Sequence, residues 1–155
     1  MTTKMSFLFE ANQTLRAKIT AIVKNLSIEQ LHTIPKGLNN NIVWNIGHIV
    51  ASQQILCYKL GNANLLVPDS FIEKYRKGTS PKNWTHFEDY NQLEEYMELT
   101  NTIKEHYQKN LFVQYTEYET SMGFKLITIE DALIYNYGHE NLHYGTILNL
   151  IKLLS

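Results

Sequence analysis

The sequence predicts an all-α fold, a four-helix bundle with long connections between its helices. Three observations point there. Apolar residues recur at steps of three and four in four segments, prolines and glycines fall between those segments, and no run alternates with the period of a strand. Four such stripes must bury against one another, and a bundle lets them do so. With 155 residues, the chain is expected to form a single domain over 1–155 with a real core. At 44% hydrophobic residues it is too apolar to be disordered. It also lacks the run of about 18 apolar residues that would cross a membrane.

The first helix is expected over about Lys4 to Asn25, with Leu8, Ala11, Leu15, Ile19, Ile22 and Leu26 as its stripe. The second opens after Asn39, Asn40 and Asn41, a cluster of good N-cap residues. It presents Ile42, Ile46, Ile49, Gln53, Leu56 and Leu60 on one face and stops at Gly61, read as a C′ glycine. Residues 62–84 are mixed, with one short helix near Asp69 to Tyr75. Thr85-His86-Phe87-Glu88 matches a capping box and announces the third helix. Its stripe is Leu93, Tyr96, Met97, Thr100, Ile103 and Tyr107, and it ends near Leu111. Residues 112–126 are rich in Tyr, Thr and Phe around Gly123 and read as a loop or a short irregular hairpin. The fourth helix opens at Thr128, with Asp131 three residues on, and runs to Leu154. Its inward line passes through Ala132, Tyr135 or Asn136, His139, His143, Thr146 and Leu150.

Fourteen basic residues balance fifteen acidic ones. Phosphate-bound proteins need a clustered basic surface, so the expected partner is a small-molecule substrate, with no nucleic acid and no membrane. The N-terminus lacks a signal-peptide pattern, and the single Cys57 demands no oxidising compartment, so a cytoplasmic setting is expected. Cys57 lies in an apolar helical stretch and reads as a buried, inert thiol. A homodimer is compatible with a bundle, although no decisive interface patch stands out.

His139 and His143 are spaced i and i+4, which puts two imidazoles on one helix face within reach of a single ion. Both lie on the inward line, where their nitrogens need a metal or hydrogen bonds. His48 sits mid-helix in NNIVWNIGHIVA, with no charged neighbour in the surrounding turns. It reads either as a hydrogen-bonded core histidine or as a third ligand from another helix. Three neutral imidazoles would make an open, catalytic type of site. The other histidines have ordinary explanations: His86 near a helix cap, His32 in a loop before Pro35, and His106 on a solvated face with Lys104.

The segments NIVWNIGHI and TIEDALIYNYGHENLHYGTIL, with the helical layout and the chain length, resemble the DinB-like (DinB/YfiT-like) metalloprotein superfamily. The resemblance covers essentially the whole chain. It implies a four-helix bundle that binds a divalent metal, zinc or nickel foremost, through the matching His48, His139 and His143; three imidazoles by themselves also suit iron. Gly145 fits the family's H-x-G context. The resemblance further implies a metal-dependent transferase that uses a low-molecular-weight thiol. Its alternatives are a metal-dependent hydrolase, or a non-enzymatic stress-response or binding bundle. The residues themselves reveal no confident general base: Glu140 projects off the metal side, and the glutamates of the third helix read as a solvated face. Asn136, one turn before His139, is a candidate to orient a ligand or a water.

Overall fold

The computed structural model describes residues 1–85 and 90–154. The capping-box match that runs to Glu88, and with it His86, lies outside the described residues. The fold is all-α, as the sequence predicts. Each of the four expected helical segments is present, but the second and third are interrupted.

Helix α1 (Thr3–Val23) starts where the Thr2 side chain accepts the Met5 amide. Its buried line is Met5, Phe9, Asn12, Leu15, Arg16, Ile19 and Val23, which keeps Leu15 and Ile19 of the expected stripe but is rotated from the rest. Leu8, Ala11, Ile22 and Leu26 are only half-buried. The cause is polar: Asn12 and Arg16 stand in the middle of the buried face. A short helix not expected from the sequence, α2 (Ile28–His32), follows. Ser27 and Gln30 form its capping box, so His32 closes a helix instead of lying in a loop.

Helix α3 (Ile42–Gln53) takes Asn41 as its N-cap, through the Trp44 amide at 2.8 Å. Of its residues only Ser52 is not buried. The helix then widens into a π-helical segment, Gln54–Lys59, which ends with the Leu60 amide bonded five residues back to Ile55. Gly61 is not a left-handed cap. Asn62 takes that conformation (φ 54°), while a Cβ on Gly61 would strike the Cys57 carbonyl. Close approach, not backbone freedom, explains that glycine.

Helix α4 (Asp69–Tyr75) lies where expected and packs on α3. The third expected helix is split into α5 (Tyr90–Met97) and α6 (Leu99–Gln108), with Glu98 at the break. Arg16 reaches the carbonyl oxygens of Met97 and Tyr96, at 3.3 and 3.5 Å, so a buried donor satisfies acceptors that the break frees. Residues 112–126 contain a hairpin, β1 (Tyr118–Glu119) and β2 (Lys125–Leu126), turned at Gly123 with φ 81°. Helix α7 (Ile129–Leu153) opens with the expected Thr128–Asp131 capping box. Its buried line is Ile129, Ala132, Leu133, Asn136, Glu140, Ile147 and Leu150. Thr146, placed inward by the sequence pattern, is exposed, and Ile147 takes its role.

Two apolar clusters form the core. One gathers α3, α4 and the second half of α1 around Ile46 and Ile49. The other gathers Met5, Phe9, Tyr58, Ile103 and Leu133 at the opposite end. Along α1 and α7 a buried polar layer separates them. Arg16 and Glu140, 2% and 0% exposed, pair through two short bonds, Nη2–Oε1 at 2.7 Å and Nε–Oε2 at 2.9 Å. Asn12 and Asn136 donate to the same carboxylate at 2.8 and 2.7 Å. Glu140→Ala would leave the guanidinium buried without its anion. Urea unfolding is expected to show a loss of about 3–5 kcal/mol, whereas a loss below about 1 kcal/mol would contradict this account.

Candidate metal centre

Helix α3 supplies His48, which is 6% exposed. Its Nδ1 donates to the Tyr75 carbonyl at the end of α4, at 2.7 Å. A carbonyl only accepts, so Nδ1 holds the ring proton and Nε2 keeps the lone pair. Gly47 makes this contact possible, because a Cβ there would fall inside the Tyr75 ring. Trp44, one turn earlier, stacks on His48 with centroids 4.6 Å apart and planes 11° apart. The Trp44 indole N–H is itself anchored on the Thr79 hydroxyl at 2.9 Å.

Helix α7 supplies the other two rings. His143 Nδ1 donates to Asn45 Oδ1 at 2.7 Å. The Asn45 amide is oriented in turn, because its Nδ2 donates to the Asn41 carbonyl at 2.7 Å. The lone pair of His143 is therefore on Nε2 as well. His139 Nε2 lies 3.2 Å from His143 Nε2. His139 Nδ1 is buried with no hydrogen-bond partner among the described residues, so the one contact that bears on the tautomer of that ring is its Nε2 against the His143 lone pair. One nitrogen from each ring lies within 4.8 Å of the other two. Nitrogens that bind zinc tetrahedrally at about 2.0–2.1 Å are about 3.4 Å apart, and the observed 3.2 Å is close to that. The donor set fits a divalent ion: three convergent imidazole nitrogens, with two lone pairs aimed inward by second partners.

Electrostatics agree. Burial lowers the pKa of His143 to about 3, helped by the neighbouring His139 and His48. Burial followed by His48 lowers His139 to about 4, against a smaller opposing effect of Glu140. Burial lowers His48 too, opposed by its bond to Tyr75. All three rings are thus neutral at pH 7, as ligation requires.

The remaining candidates lie elsewhere. His32 Nδ1 donates to the Ile28 carbonyl within α2. His106 is half-buried, not solvated, and its Nδ1 lies 3.0 Å from the Tyr58 hydroxyl. Cys57 is fully buried, and burial pushes its thiol up. Asn136 serves Glu140 and orients nothing at the cluster through its amide N–H. Gly145 has open space where a Cβ would be, so no contact explains it. Sequence reasoning missed Asn45 and Tyr75. Their only signals were an asparagine one turn before His48's neighbours and a tyrosine closing the short helix.

The family model of the DinB superfamily matches residues 11–147. This chain belongs to the DinB superfamily. A solved structure, described as the conserved protein of locus from Enterococcus faecalis, matches with a TM-score of 0.67 at 13% identity. The match covers 99% of this chain and 98% of that one, and it shows the fold alone. No curated protein matches the sequence significantly. On this DinB fold a cavity of about 200 Å³ opens beside His48 and His139. Ile55, Leu56 and Leu60 form an apolar wall, while Lys77, Tyr118 and Ser121 stand at its polar side.

Two outcomes follow. Gly47→Ala should push Tyr75 away and free His48 Nδ1. Long-range proton–nitrogen NMR is expected to show the wild-type Nδ1–H form giving way to the Nε2–H form, with about 1–3 kcal/mol lost to overpacking. An unchanged tautomer would argue against the contact. Metal-free protein should also lose stability as the pH falls from about 6.5 towards 4. The unfolded chain takes up protons on these imidazoles near 6.5, while the folded rings resist until lower pH. Stability is therefore fully present above 6.5 and declines below it. A denaturant midpoint that stays flat from neutral pH down to 4.5 would contradict this.

Proposed function

We propose that this DinB protein holds a divalent ion, zinc or nickel, through His48, His139 and His143. We further propose that it transfers a low-molecular-weight thiol to a small electrophilic substrate. The observation that carries the reading is the convergence of three neutral imidazoles, two with their lone pairs directed inward by Tyr75 and Asn45. The ion, when bound, would act as a Lewis acid that favours the thiolate over the thiol at neutral pH.

The protein's own residues supply the surroundings. Trp44 covers one face of His48 and excludes water there. The Ser52 hydroxyl lies 3.4 Å from His48 Nε2, at the cavity edge. The wall of Ile55, Leu56 and Leu60 receives an apolar substrate body. No carboxylate is among the described residues that line the cavity, and Glu140 is paired with Arg16. This absence of a base among the described lining residues favours thiol transfer over hydrolysis. A thiol with a pKa near 8.5 ionises with little help, whereas attack by water gains from a positioned base. The same reading takes residues 1–155 as one domain and places it in the cytoplasm as a homodimer.

Elemental analysis of the purified protein tests the first half. About one divalent ion per chain is expected, with affinity at least about 100-fold weaker after His48→Ala, His139→Ala or His143→Ala. A metal-free protein indifferent to all three changes would overturn it. Conjugation of 1-chloro-2,4-dinitrobenzene with several small thiols tests the second half. Turnover should vanish with chelator, and ester cleavage without thiol would point to hydrolysis instead.

A further inference from the structure

The segment from Tyr75 to Thr79 is tied to the histidine site at both ends. The Tyr75 carbonyl accepts from His48, and the Thr79 hydroxyl accepts from Trp44. Between them the chain makes a tight turn, closed by the Thr79 amide on the Arg76 carbonyl at 3.2 Å. Gly78 supplies the positive φ of 91° that the third position of such a turn needs. Lys77 occupies the second position and is carried to the cavity.

The two neighbouring cations differ. Arg76 is engaged by Glu73 at 2.7 Å. Lys77 has no ion pair or hydrogen bond among the described residues. It is also the one side chain with a fixed charge on the described cavity lining, which contains no acid. The hairpin contributes three hydroxyl-bearing residues, Tyr118, Thr120 and Ser121, to the same lining. Thr120 Oγ accepts from the Phe124 amide, so its proton remains available to a ligand. An apolar wall, an unpaired ammonium and hydroxyl-bearing lining residues together select a particular shape of ligand.

We infer that the cavity takes a small molecule with an apolar body and a carboxylate or phosphate group, and that Lys77 is the residue that receives the anion. This rests on the proposed site reading for its catalytic meaning, but the binding itself is independent of the ion. The anion can belong to the electrophile or to the thiol, since both would pass this rim.

The test is calorimetric titration of the full chain at low ionic strength with two matched pairs. One pair is 4-phenylbutanoate and 4-phenylbutanamide. The other is N-acetylcysteine and its amide. The wild type is expected to bind the acid of at least one pair about five-fold more tightly than the amide, a preference that fades with salt. Lys77→Ala should erase the preference and Lys77→Glu should reverse it, with amide affinity unchanged in both. Lys77 is exposed, so both variants should fold, which circular dichroism verifies. The pair that responds identifies which molecule carries the anion. Equal binding of acid and amide overturns the inference, as does failure of all four probes to bind, or a preference that survives Lys77→Glu. A preference lost on chelation but kept in the Lys77 variants would assign the anion to the ion and overturn it too. Persistence in chelated protein separates this inference from the metal reading: either can fail alone.

Discussion

The rest of the molecule is arranged around the buried pair of Arg16 and Glu140. Glu140 points to α1, and successive residues of a helix are about 100° apart. His139 is then turned about 100° to one side. His143, three residues on, falls about 60° to the same side. The two histidines therefore face α3, where His48 lies, because the carboxylate between them faces α1. The same guanidinium takes the carbonyls at the break between α5 and α6. One desolvated cation thus ties three helical segments together. A buried ion pair is poor at adding stability but good at refusing alternatives, since any rotation of α7 strands two charges.

That pair also explains what periodicity could and could not reveal. The helices announced themselves through their stripes and caps: Asn41, Thr128 with Asp131, and the short Asp69–Tyr75 helix all lie where the pattern put them. The rotation of α1 and the exact inward line of α7 did not. In both helices a polar residue occupies the centre of the buried face, and a pattern that equates buried with apolar steps around it. The sequence places Glu140 off the metal side, and it lies there, fully buried in the core. The Glu98 break left no mark of its own, since it depends on Arg16, more than eighty residues earlier in the chain.

The histidine cluster was legible for a different reason. His139 and His143 are a local pair, and His48 stands out as the polar member of an apolar helix. What orients them was not legible. Asn45 reads as a helix-interior asparagine, and the Tyr75 carbonyl is backbone, to which side-chain identity gives no clue. Gly47 is the exception: its place next to His48 is visible, and its meaning appears once the Tyr75 ring is seen to rest on it. The three rings also differ in support. Two have a second partner on Nδ1, and His139 Nδ1 has none among the described residues, so of the two rings that border the cavity His139 is held less.

The widened turn at Gln54–Lys59 has a consequence for how this chain is compared with others. A five-residue hydrogen-bond step accommodates one more residue than an α-turn does, so the helical phase slips once between His48 and Gly61. Upstream of the slip the rod presents Trp44 and His48 to the histidine site. Downstream it buries Cys57 and Tyr58 in the second core cluster while Leu56 still borders the cavity. Side-chain identity is not the only quantity under constraint there; residue count is as well. A deletion of a single residue in that stretch would leave every conspicuous residue of the chain intact and still turn the cavity wall away from the imidazoles.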